Sequence, residues 1–282
     1  MHSVRDTGYR LPCVRSATCV EGMFCICSGC IGSGTAGWAI ASEAQSNLYI
    51  RYSVFPLSMS EHVLQASSTS RSPARAVVPA IIASSQQELD ERIAQLRGLA
   101  HTLQLDVMDG SFVANKSLAF ELTLPDKTQD VSFEAHLMVV DPVDWISRLA
   151  KWDAVVLVYI HLESGHTEEA IAAARSAGKR VGLAINPGTQ ANALASYIQS
   201  IDEVLVMTVN PGQYGSAFLP ETLQKIKQVK SLCDIPVEVD GGISDVTIAK
   251  AQEAGADKFV VGSYVVRAKD RRAAFDALQR AA

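Results

Sequence analysis

EVLVMTVNPGQYGSAFLPETLQKIKQVKSLCDIPVEVDGG, residues 203–242, holds a complete strand–loop–helix–strand unit. EVLVMTVN (203–210) is a near-continuous apolar, β-branched run, the pattern of a strand buried on both faces. Residues 220–232 place apolar side chains at helical spacing. PVEVDGG (236–242) returns to a strand and ends on two glycines. Strands joined through a helix run parallel. Outward from this unit the alternation repeats. Strands are expected at VVPAIIA (77–83), LQLDVMD (103–109), FEAHLMV (133–139), AVVLVYIHLE (154–163), RVGLAIN (180–186) and KFVVGSY (258–264). Helical spacing is expected over 86–98, 166–177, 246–254 and 270–281, with Gly178 and Gly255 as C-cap signals. The stretch 111–131 reads mostly as loop. Eight strand–helix units in about 200 residues predict a closed (β/α)8 barrel, ahead of an open doubly wound sheet.

The N-terminal part is different. Residues 1–76 hold no lysine, 13 serines and five of the six cysteines (Cys13, Cys19, Cys25, Cys27, Cys30). A domain boundary is therefore expected near Val77, with a low-complexity extension over 1–76 and the barrel over 77–282. The cysteine spacing lacks paired C-x2-C knuckles and no His-x3-5-His follows, which argues against a zinc site. Gly29, Gly32, Gly34 and Gly37 make the uncharged stretch Gly22–Ser42 a poor membrane span. Arg5, Arg10 and Arg15 before it fit a targeting segment. A disordered tail, or a start at Met59, is the plainer reading. The net charge of −5, without a long basic run, argues against nucleic acid as a partner. No convincing membrane segment is readable, so the expected compartment is the cytoplasm.

A (β/α)8 barrel places its chemistry at the C-terminal ends of the strands. There the polar residues gather: Asp106, Asp109, His136, His161, Glu163, Asn186-Pro187-Gly188, Asn210-Pro211-Gly212, Asp240-Gly241-Gly242 and Gly262-Ser263. A carboxylate inside an apolar strand is costly unless something satisfies it. Asp106 and Asp240, from the second and seventh strands, are expected on opposite sides of the ring, an arrangement that suits two-base proton transfer. Structural capping of loop amides is the competing role for both. A lone histidine such as His136 is more often a satisfied core residue. Beside two carboxylates it becomes a metal ligand for zinc, iron, manganese or cobalt. Gly212, Gly215 and Ser216, Gly241-Gly242, and Gly262-Ser263 form a glycine set whose backbone amides would approach a phosphate. Met108, Met138 and Met207 near the strand ends are either core packing or an apolar collar around a reactive intermediate.

LDVMDGSFVAN, EAHLMV, LAINPGT, VMTVNPGQYGSAFLP, VEVDGGIS and VGSYV, in this order, resemble the ribulose-phosphate 3-epimerase family over nearly all of 77–282. The resemblance implies a TIM barrel that interconverts ribulose 5-phosphate and xylulose 5-phosphate. It implies Asp106 and Asp240 as acid/base groups at C3, working through an enediolate on a divalent metal, and a homo-oligomer. The family's metal set is two histidines with these two aspartates. His136 matches one histidine, and Gln104 stands where the other is usual.

Two further departures are Ala80, where the family carries a serine, and Tyr214 in the phosphate loop, where it carries glycine. Gln104 shares the strand face of Asp106. It would either ligate through its carbonyl oxygen or hydrogen-bond the enediolate. Asp109 is expected to cap the following loop. Alternative functions are epimerisation of a six-carbon ketose 6-phosphate and phosphosugar binding without turnover. The lysine of an Asp-x-Lys-x-x-Asp strand, usual in related decarboxylase and synthase barrels, is absent from DVMDG.

Overall fold

Each expected strand is present in the computed structural model, which describes residues 76–126, 131–212, 215–232 and 234–282. The readings for residues 1–75, including the cysteine cluster, and for Tyr214 lie outside the described residues. The strands are β1 (Ala76–Ile81), β2 (Thr102–Asp109), β3 (Lys116–Ser117), β4 (Ser132–Met138), β5 (Val155–His161), β6 (Arg180–Ile185), β7 (Glu203–Met207), β8 (Val237–Asp240) and β9 (Lys258–Val261). All but β3 pair in parallel, in the order β1-β9-β8-β7-β6-β5-β4-β2. Pairing of β1 with β2, Ala80 opposite Gln104, closes the ring. The result is an eight-stranded TIM barrel, and the open-sheet alternative falls. The small β3 folds back antiparallel on β2, so 111–126 is otherwise loop, as its weak pattern predicts.

The helices are α1 (Gln86–Leu96), α2 (Pro142–Leu149), α3 (Thr167–Ser176), α4 (Thr222–Leu232), α5 (Ile248–Glu253), α6 (Ser263–Val266) and α7 (Arg271–Ala281). Local chemistry sets their ends. The Ser85 hydroxyl accepts from the Glu88 N–H, and the Glu88 carboxylate accepts from the Ser84 N–H, so two otherwise unpaired donors are satisfied. Helix α2 was not among the helices expected from spacing, though its start signals are in the sequence. Pro142 occupies the first turn, and Asp141 accepts from the N–H groups of Val143 and Asp144. It packs Trp145, Ile146 and Leu149 inward. Between β6 and β7 two short 3-10 turns, Ala191–Leu194 and Ile198–Ser200, replace a helix.

Alternate residues of each strand face the surrounding helices or the barrel interior. The outward set, with Leu105, Val107, Leu137, Val158, Val206 and Val239, joins the helices in one large core. The inward set is unusually polar. Glu134, Glu203 and Glu238 are buried at the N-terminal end of the barrel, where Lys258 Nζ lies 2.6 Å from Glu134 and 2.9 Å from Glu203 and contacts Glu238. Tyr159 caps this cluster, its hydroxyl 2.7 Å from Glu203. Leu157, Tyr159, Ala184, Leu205 and Met207 form an apolar layer of the interior.

Candidate active site

Asp106, inside β2, and Asp240, the last residue of β8, lie on the same inward-facing side as the polar layer below. They do not stand apart across the ring, as expected. Their strands are separated by β1 and β9, and the carboxylates converge. Asp106, His136 and Asp240 offer ligand atoms all within 4.8 Å of one another. Strand register accounts for part of this, since Asp106 pairs directly with His136. His136 Nδ1 lies 3.4 Å from Asp106 Oδ1 and 3.1 Å from Asp240 Oδ2, yet it is aligned with neither for a hydrogen bond.

Gln104 is fully buried beneath them. Its Nε2 donates to Asp106 Oδ1 at 2.9 Å and to Asp240 Oδ2 at 2.8 Å. One neutral amide thus ties both carboxylates together. Its Oε1 is buried with no partner. A buried imidazole nitrogen without an aligned partner, beside two converging carboxylates, makes a donor set that fits a divalent cation, while Gln104 turns its N–H rather than its oxygen toward the carboxylates.

The electrostatics follow from burial and proximity. Burial raises the Asp106 carboxyl to about 6 against the nearby His136 ring, and the Asp240 charge pushes the same way as burial. Burial by itself would lower His136, but the two carboxylates win and hold it near 9. Its other nitrogen, Nε2, is 2.8 Å from Nε2 of His161. His161 is lowered to about 4, chiefly by burial, with Glu163 opposing through a 3.1 Å contact at Nδ1. Glu163, despite its own burial, is held near 2 by bonds from His161, Thr189 and Asn186. His161 and Glu163 stood out in the sequence as polar strand-end residues without a role. Their spacing of two along the chain was the signal that they act together.

The remaining expected residues line one cleft above the carboxylates. Met108, Met138 and Met207 meet Gly212, Gly215, Ser216, Gly241, Gly242, Gly262 and Ser263 there, with Ala80 beside them. Gly241 has φ +114°, and a Cβ on it would stand 2.2 Å from Val209. Gly242 has φ +66°, and a Cβ would meet the Phe218 backbone nitrogen at 2.6 Å. Both positions therefore require glycine. The loop after β2 closes over this side, with Asn115 donating to the Gly212 carbonyl at 2.7 Å. Asp109 lies apart and caps that loop, accepting from Ser111, Phe112 and Val140 N–H groups. No helix among the described residues is long and apolar enough to cross a membrane.

Comparison with known proteins agrees with this geometry. Residues 76–266 match the family model described as the ribulose-phosphate 3 epimerase family. Ribulose-phosphate 3-epimerase of Mycobacterium tuberculosis is 37% identical over 214 residues, covering 73% of this chain and 92% of the relative. The Bacillus subtilis protein of the same name is 34% identical, covering 72% and 97%. Among solved structures, 3-hexulose-6-phosphate synthase from Salmonella typhimurium superposes with a TM-score of 0.55 at 17% identity, covering 73% and 97%. That likeness carries the barrel and nothing more. The match across the barrel and the identity over nearly the whole length of these relatives place the chain in the ribulose-phosphate 3-epimerase family.

Proposed function

We propose that the protein inverts C3 of ribulose 5-phosphate to give xylulose 5-phosphate by two-base proton transfer. The observation that carries this reading is the pair of carboxylates, Asp106 and Asp240, at the floor of one glycine-rimmed cleft. One carboxylate takes the C3 proton, and the C–H electrons move into the C2 carbonyl to form an enediolate. The other returns a proton to C3 from the opposite face. The roles exchange in the reverse direction. An Asp106 carboxyl near 6 is tuned toward neutral pH, where a group serves as both base and acid.

Asp106, His136 and Asp240 would hold a divalent ion of the zinc, iron, manganese or cobalt type, with Gln104 beside it. Bound there, the ion supplies positive charge that offsets the enediolate oxygens. Gly212, Gly215 and Ser216, Gly241-Gly242 and Gly262-Ser263 would receive the phosphate through backbone N–H groups. Met108, Met138 and Met207, each nearly fully buried, would keep water from the carbanionic centre.

The test is Asp240→Asn. Loss of turnover by at least about a thousandfold, with inorganic phosphate binding retained, is expected from removal of one acid/base group. Turnover near wild type would rule out the two-base model. Activity on a six-carbon ketose 6-phosphate in preference to the pentose would move the substrate assignment.

A further inference from the structure

We propose that His161 and Glu163 form a positioning relay that fixes Nδ1 of His136 as its metal-facing nitrogen. The inference rests on the metal reading above. It starts at the loop after β6. The Asn186 N–H donates to Glu163 Oε1 at 2.8 Å, and the Thr189 hydroxyl donates to the same oxygen. The other oxygen, Oε2, is thereby aimed at His161 Nδ1, 3.1 Å away. An ionised carboxylate only accepts, so this nitrogen of His161 carries the hydrogen. The imidazole of His161 then presents a bare Nε2.

That bare nitrogen lies 2.8 Å from Nε2 of His136. The proton between them therefore sits on His136. With Nε2 committed as donor, the nitrogen left to face Asp106 and Asp240 is Nδ1, whatever its own protonation. The two rings are held for this, with centroids 5.0 Å apart and planes at 24°. The Phe112 ring lies 4.8 Å from His161 on the loop side, tilted by 47°. Both imidazoles are fully buried, so water cannot substitute for either bond. Partners of this kind fix the tautomer and orientation of a ligating histidine. Here a second histidine is interposed between the ligand and its carboxylate.

The test uses the full chain, metal-stripped, with zinc as the probe and a competing chelator to report affinity. Glu163→Ala should weaken zinc about 10- to 100-fold. Glu163→Gln keeps its single oxygen on the Asn186 and Thr189 donors and turns its amide N–H toward His161 Nδ1, so it should weaken zinc as well. Thr189→Ala keeps the relay and should stay close to wild type. His161→Phe should weaken zinc as Glu163→Ala does, and the double variant should lose no more than either alone, because the two act in series. Nitrogen-15 NMR of histidine-labelled wild type should show His136 zinc-bound at Nδ1 and protonated at Nε2. Unchanged affinity in Glu163→Ala, or zinc bound at Nε2, overturns the relay while leaving the metal reading standing. Absence of zinc binding by wild type overturns both. The NMR assignment decides the matter on unmutated protein should Glu163→Ala not fold.

Discussion

Gln104 is the departure from the family's usual pattern that touches both carboxylates. Its amide nitrogen donates to both Asp106 and Asp240, work that an imidazole with a bound cation would share differently. An amide oxygen is a weaker ligand for a borderline metal than imidazole. Gln104→His is therefore expected to tighten zinc by about tenfold or more, measured by chelator competition. Unchanged zinc affinity would mean that this position does not reach the metal. The departure was readable in LQLDVMDG, and so was its side of the strand. Which amide atom faces the carboxylates was not, because that depends on Asp240, 136 residues away in the chain. A second residue-scale expectation concerns His161. Its folded value near 4 lies below the ordinary 6.5, so the unfolded chain binds a proton first as pH falls. The stability this gives is complete above pH 6.5 and is lost as pH drops toward 4. His161→Phe should flatten that part of the stability–pH curve measured by urea unfolding. A slope equal to wild type would contradict the assignment.

The strands explain why the site could be anticipated. Period-two placement put Gln104, Asp106 and Met108 on one face of β2, and Glu134, His136 and Met138 on one face of β4. Barrel closure then turned both faces inward. The eight strands were legible because each is a buried apolar run bounded by turn residues. Helix α2 was less so: at eight residues it gives only two turns of periodicity, and its Asp-Pro start carried the information instead. The convergence of Asp106 and Asp240 was not legible, since strand order around a ring does not give the direction of each side chain's reach. Strand β6 carries a test of packing inside the barrel. A Cβ at Gly182 would lie 2.2 Å from the Tyr159 ring. Gly182→Ala is expected to push that ring off Glu203 and Glu238, costing about 1–3 kcal/mol as overpacking does. Thermal unfolding indistinguishable from wild type would show that the ring moves freely.

Across the whole molecule the barrel holds two buried polar layers with an apolar layer between. The upper one is the candidate active site. The lower one gathers Glu134, Glu203 and Glu238 around Lys258. Burial first, and then the neighbouring glutamates, push Glu238 well above the usual carboxylate range. Burial opposes the charge on Lys258, but the three carboxylates outweigh it and raise its pKa. Removing the cation strands the acids in the interior. Lys258→Met should destabilise the fold by about 3–5 kcal/mol at neutral pH, read by urea unfolding. A stability equal to wild type would mean the acids are already neutral. Glutamates at alternate positions below His136 and Asp240 were visible in FEAHLM and VEVD, but nothing local to either strand names Lys258 as their partner.

The measurement that bears most directly on the central claim is proton NMR of ribulose 5-phosphate in D2O with the full chain, metal-stripped and then zinc-loaded. The account predicts deuterium at C3 together with xylulose 5-phosphate once the metal is restored. Both should be lost in Asp106→Asn and in Asp240→Asn. An intact C3–H signal under both conditions, with the sugar phosphate bound, would contradict it and leave this barrel a phosphosugar-binding protein.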